Sequence, residues 1–90
     1  MRERVTPDRA ETIGLNGLAF LVSQRDQLDR FVQGTGIEPS ALRRQALEPS
    51  FLQAVLDYLL RDDALLMDFC REQGLDARDI HLAHRVLGGS

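Results

Sequence analysis

Ninety residues, 43% apolar and 28% charged, are enough for one domain with a single core. With no tryptophan, four phenylalanines and one tyrosine, that core has to be mainly leucine, which favours helix. A net charge of −3 and a pI of about 5.2 weigh against nucleic acid and anionic membranes as partners. The single cysteine can make no internal disulfide and fits a reducing cytoplasm.

Residues 1–6 are expected to be flexible. A first helix then opens at Thr6–Pro7, a capping hydroxyl followed by proline at the first helical position. Its segment "IGLNGLAFLV", residues 13–22, is the most apolar of the chain, yet only about half a membrane span. Glu3, Asp8 and Glu11 precede it, unlike the basic start of a signal peptide. No membrane insertion and no export are expected. After a polar break at Ser23–Asp26, with capping residues, a second helix runs from about Asp26 to Gly34. Gly36 stands where a helix commonly ends on one left-handed residue. Glu38–Pro39 opens a third helix, 39–46, and Glu48–Pro49–Ser50 a fourth.

From Phe51 to Gln73 neither proline nor glycine interrupts the chain, and phase decides whether this is one helix or two. The stripe Leu52, Val55, Leu56, Leu59 would continue through Asp62 and Asp63, which puts two charges on the buried face. Leu65, Leu66, Phe69 and Cys70 follow in a different register. A break at Arg61–Asp62 resolves this. Asp62 becomes an N-cap, and Asp63 sits in a first turn where the helix dipole favours negative charge. Gly74 closes this fifth helix. Asp76 with Asp79, loosely a capping box, opens the last.

Shifted by 38, residues 20–42 lie over 58–80: Leu28 meets Leu66, Phe31 meets Phe69 and Gly36 meets Gly74. The expectation is an all-α compact bundle of about six short helices, arranged as two three-helix pseudo-repeats (11–46 and 49–84). The first and fourth helices should pack at its centre, with Gly14 and Gly17 letting their backbones approach. No segment alternates strictly enough to be a strand.

"AETIGLNGLAFL", "TGIEPSALRRQALEPSFLQAVLDYLL" and "GLDARDIHLAHRVLGG" resemble the small alphaproteobacterial family called domain of unknown function 3572. The likeness runs from Ala10 to Gly89, and "PSFLQAVLDYLL" is its most specific part. The chain departs from the family pattern at Gly14, Asn16 and Gly17. The resemblance implies a small helical domain and brings no activity with it.

The candidate sites reduce to simpler roles. Asp62–Asp63 lacks the convergent partners that catalysis or metal binding needs, and reads as helix punctuation. Cys70 lies on an apolar stripe late in its helix and reads as a small buried hydrophobe, since a nucleophile would want a pKa lowered by a basic neighbour or a helix N-terminus. His81 and His84, three apart on one helix, make an incomplete metal site. In "GTGIEPSALRRQA" (34–46) a turn precedes a helix bearing Ser40, Arg43 and Arg44, the outline of a helix-turn-helix reading unit. Glu38 and Glu48 flank it, and the second half places Leu82 over Arg44. No glycine-rich phosphate loop or serine–histidine arrangement is present, so no enzyme, cofactor or metal is expected.

On the last helix Ile80, Ala83 and Leu87 should face the core. Leu82 and Val86 form a second apolar pair four residues apart, set off by Asp79. A C-terminal helix has fewer neighbours to cover a second face, so this pair is the candidate docking patch. The functional expectation is a non-catalytic protein-interaction module of the cytoplasm, meeting an unknown protein partner or forming a homodimer. The alternative is a helix-turn-helix-like DNA-binding regulator using the helix 39–46.

Overall fold

Local chemistry sets most of the helix ends. The computed structural model describes residues 5–46 and 48–89; the side chains of Arg25, Pro39, Leu42 and Arg43 lie outside that description. Helix α1 spans Pro7–Val22, and the Arg9 N–H donates to Thr6 Oγ1 at 3.2 Å, with Pro7 in the first turn. Helix α2 spans Arg25–Thr35. A 3₁₀ turn, Pro39–Ala41, leads into α3, Leu42–Gln45. Then come α4 (Pro49–Leu60), α5 (Asp63–Gln73) and α6 (Ala77–Leu87). Among the described residues there is no strand. The fold is all-helical.

Five of these helices have eleven residues or more, and α3 is a single turn of four. The expected count of about six is therefore one too many, and the helix 39–46 does not form as such. The reason is room. Glu48 is extended ahead of Pro49 (φ −76°, ψ 127°), as the residue before a proline prefers to be. That leaves too short a stretch for a helix with a buried stripe, and α3 touches the other helices only slightly.

The break within 51–73 is where phase put it. Asp62 is extended (φ −127°, ψ 102°), and its Oδ1 accepts from the Leu65 N–H at 3.1 Å. This satisfies one of the amides a helix start leaves without a partner. The matching break at Ser23–Asp26 is made differently. Gln24 is the N-cap and supplies no side-chain bond, while Ser23 Oγ donates back to the Phe20 carbonyl at 2.7 Å. Gly36 (φ 75°) and Gly74 (φ 70°) both take the left-handed conformation that costs other residues roughly 1–2 kcal/mol.

The centre is a triangle of α1, α4 and α6, each packed on the other two. Leu21, Leu52, Val55, Leu56, Leu59 and Ile80 are fully enclosed there. Helix α6 is thus not peripheral, contrary to the expectation that its place in the chain leaves it with few neighbours. Its apolar face Ile80–Ala83–Leu87 is buried against two helices at once. The α1–α4 contact is close. A Cβ added at Gly14 would lie 2.9 Å from Leu52 Cβ, and one at Gly17 would lie 3.2 Å from Leu59 Cδ1 and Val55 Cγ1.

Aromatic rings hold α2 and α5 to this centre. Phe31 of α2 sits edge-on to Phe51 and Tyr58, with centroids 5.8 and 5.5 Å away, and Phe69 of α5 meets Phe20 at 5.3 Å. Tyr58 Oη also donates to Gln27 Oε1 at 3.1 Å. Asn16 Nδ2 donates to Gln73 Oε1 at the same distance, tying α1 to the end of α5.

Candidate docking surface

Helix α6 is fixed at its start by two reciprocal bonds. The Asp79 N–H donates to Asp76 Oδ1 at 3.3 Å, and the Asp76 N–H donates to Asp79 Oδ2 at 3.1 Å. Its far end is held by Gln53 of α4, whose Nε2 donates to the His84 carbonyl at 3.2 Å. Because Ile80, Ala83 and Leu87 fill the inward side, residues 78, 81, 82 and 85 must face away from it at about 100° per residue. Arg78, His81 and Arg85 are exposed, and Leu82 and Val86 are half-buried. Val86 packs against the rim of the core. The candidate docking pair therefore lies on one helix, between a completed core face and a basic outward strip.

The other candidate residues are dispersed. Asp62 is spent on its cap, and Asp63 lies exposed in the first turn of α5. Cys70 is buried; burial, then the carboxylates of Asp76 and Asp79, push its thiol above its ordinary value. That is the opposite of what a nucleophile needs. His84 is half-buried with Nε2 3.5 Å from Asp57 Oδ1, whereas His81 stands in solvent. Asp57 in turn accepts Arg61 at 2.8 Å. Among the described residues no three His, Cys, Asp or Glu side chains converge as metal ligands, and no helix is long and apolar enough to cross a membrane.

The basic segment fares no better. Ser40 and Arg44 are exposed, and Arg43 lies among the side chains outside the description. A 3₁₀ turn followed by four α-helical residues is too short to lay along a major groove as a recognition helix does.

The model for the family described as "Protein of unknown function (DUF3572)" matches residues 7–90. The chain belongs to this family. The matched region takes in every helix of the fold, from the first residue of α1 onward. Comparison with curated proteins and with solved structures gives no match.

One surface of this family member was not foreseen from sequence. Between the end of α2 and the outer side of α4 run two adjoining hollows of about 480 and 400 Å³, which share Thr35 and Ala54. Phe51 lies at the base of the first and Tyr58 beside the second. Small residues mark the place in the sequence: Ala54 on α4 faces Gly34 and Thr35 on α2. Nothing local pairs these segments, which are brought together by Phe31 docking on Phe51 and Tyr58 and by the Tyr58–Gln27 hydrogen bond.

Proposed function

We propose that this chain is a non-catalytic protein-interaction module of the cytoplasm. It docks a partner protein, or a second copy of itself, through Leu82 and Val86 on α6. One observation carries the reading: Leu82 and Val86 remain half-exposed, one turn apart, on a helix whose core face is already complete with Ile80, Ala83 and Leu87. Apolar side chains four apart are how a helix presents anchors to a partner groove or helix. The patch is pre-organised, since a capping box holds α6 at one end and Gln53 at the other. Little ordering cost then falls on binding.

The test is the pair Leu82→Glu with Val86→Glu. Circular dichroism should show the variant still helical, because the three enclosed side chains are untouched. Light scattering over a concentration series, and a pull-down from native extract, should show loss of self-association or of the captured partner. Unfolding of the double variant would assign the pair to the core. A folded variant unchanged in both assays would leave the patch without a role. Leu82→Glu alone separates the two residues, since Val86 packs on the core rim.

A further inference from the structure

Resting on that docking reading, we infer that the partner is an acidic amphipathic helix, recognised by the basic outward strip of α6. The chain as a whole carries a net charge of −3, yet residues 78–85 hold two arginines and both histidines against one acid, Asp79. The arginines elsewhere on the last three helices are already engaged: Arg61 pairs with Asp57 at 2.8 Å and Arg71 with Asp68 at 3.3 Å. Among the described residues no carboxylate lies at ion-pair distance from Arg78, His81 or Arg85. All three are exposed, on the side of the helix that also carries Leu82.

The spacing defines what would complement the strip. Arg78 and Arg85 are seven residues, or about 10.5 Å, apart along α6, with Leu82 between them. A second helix laid alongside matches this with carboxylates two turns apart and leucine between. Such charges at the rim of an apolar contact steer association and fix its register, while the apolar centre supplies affinity. A lipid surface is a poorer match, because recognition by headgroup charge alone takes clusters of about four to eight cations. Duplex DNA likewise needs several phosphate contacts, and the two arginines of this strip, on a domain of net charge −3, are too few.

The experiment uses the full chain, labelled with nitrogen-15, and two synthetic amphipathic helical peptides. One carries paired leucines flanked by glutamates; the other has lysine in place of each glutamate. The acidic peptide should shift amides of residues 78–86 in a salt-sensitive way, and the lysine peptide should not. Arg78→Glu with Arg85→Glu changes only exposed positions and should keep the fold. It should weaken the acidic peptide by about tenfold or more, the scale of two rim contacts turned from attraction to repulsion. It should also gain binding to the lysine peptide.

Equal shifts from both peptides overturn the inference, and so does no shift with the acidic peptide at millimolar concentration. It is overturned too if phosphatidylserine vesicles or a mixed-sequence duplex perturb α6 in the acidic peptide's place. The two readings fail separately. If the charge-reversed variant keeps the assembly or pull-down that Leu82→Glu with Val86→Glu loses, docking stands and the acidic partner falls. If neither variant loses it, docking itself falls.

Discussion

Alanine at Gly14 and alanine at Gly17 should differ in cost, because two contacts of different stiffness lie beneath them. Replacing a helix-interior glycine by alanine gains about 0.8–1 kcal/mol from propensity alone. At Gly17 the new methyl would meet Leu59 Cδ1 and Val55 Cγ1 at 3.2 Å, the ends of side chains that can give by a few tenths of an ångström. Propensity and crowding should then nearly cancel. At Gly14 the methyl would lie 2.9 Å from Leu52 Cβ, well inside the roughly 3.5–4.0 Å at which carbons pack. A Cβ moves only with its backbone, so α1 and α4 have to part. Parting them loosens contacts along the enclosed row Leu52, Val55 and Leu56, and overpacking of this kind costs about 1–3 kcal/mol. Net of propensity, Gly14→Ala should lose about 1 kcal/mol, which for a domain of this size lowers Tm by about 4–8 °C. Urea unfolding followed by circular dichroism, on wild type and both single variants, measures it. A Gly14→Ala protein as stable as Gly17→Ala would refute the claim that this pair of helices meets backbone to backbone.

Removing the cap at Asp62 by Asp62→Ala should cost about 1 kcal/mol in the same urea assay, and Asp63→Ala, which loses only a dipole contact, clearly less. For Cys70 burial raises the folded thiol above its ordinary value near 9. Its contribution is therefore fully present below the unfolded pKa and is lost as pH rises through the folded one. Wild type should lose stability above about pH 9 more steeply than Cys70→Ala, and parallel pH profiles would contradict this. Helix α2 buries only Phe31 among its described side chains, and α3 barely touches the bundle. Native-state hydrogen exchange should accordingly show amides of 25–45 opening well before those of α1, α4 and α6; uniform protection would show that the fold opens as one unit.

What the sequence made legible was local. Thr6–Pro7, Asp62 and the Asp76–Asp79 box each announce a helix start through bonds within three residues of themselves. Gly36 and Gly74 announce helix ends through a conformation that only glycine adopts cheaply. The close approach at Gly14 was legible for a different reason, since missing side chains on an apolar helix leave a groove that another helix fills. The length of α3 was misjudged because Glu38–Pro39 signals a start while Glu48–Pro49, ten residues on, quietly sets the limit. At Ser23–Asp26 the break fell in place although no side chain caps it, so composition there predicted the right turn by the wrong bond.

The central place of α6 depends on where three separated segments meet, and no short-range signal encodes that. It changes how the docking pair is to be understood. Had α6 been a peripheral helix, half-exposed Leu82 and Val86 would be ordinary fraying at the edge of a small core. In this fold α6 is one of three mutually packed helices, held by a capping box and by Gln53. Its inward face is closed by Ile80, Ala83 and Leu87 before Leu82 is reached. A helix so constrained cannot turn to bury a second strip. Leu82 and its flanking arginines are thus presented by one of the three central helices, while the more loosely attached α3 carries Arg44 of the segment that a reading of charge alone would have chosen for DNA.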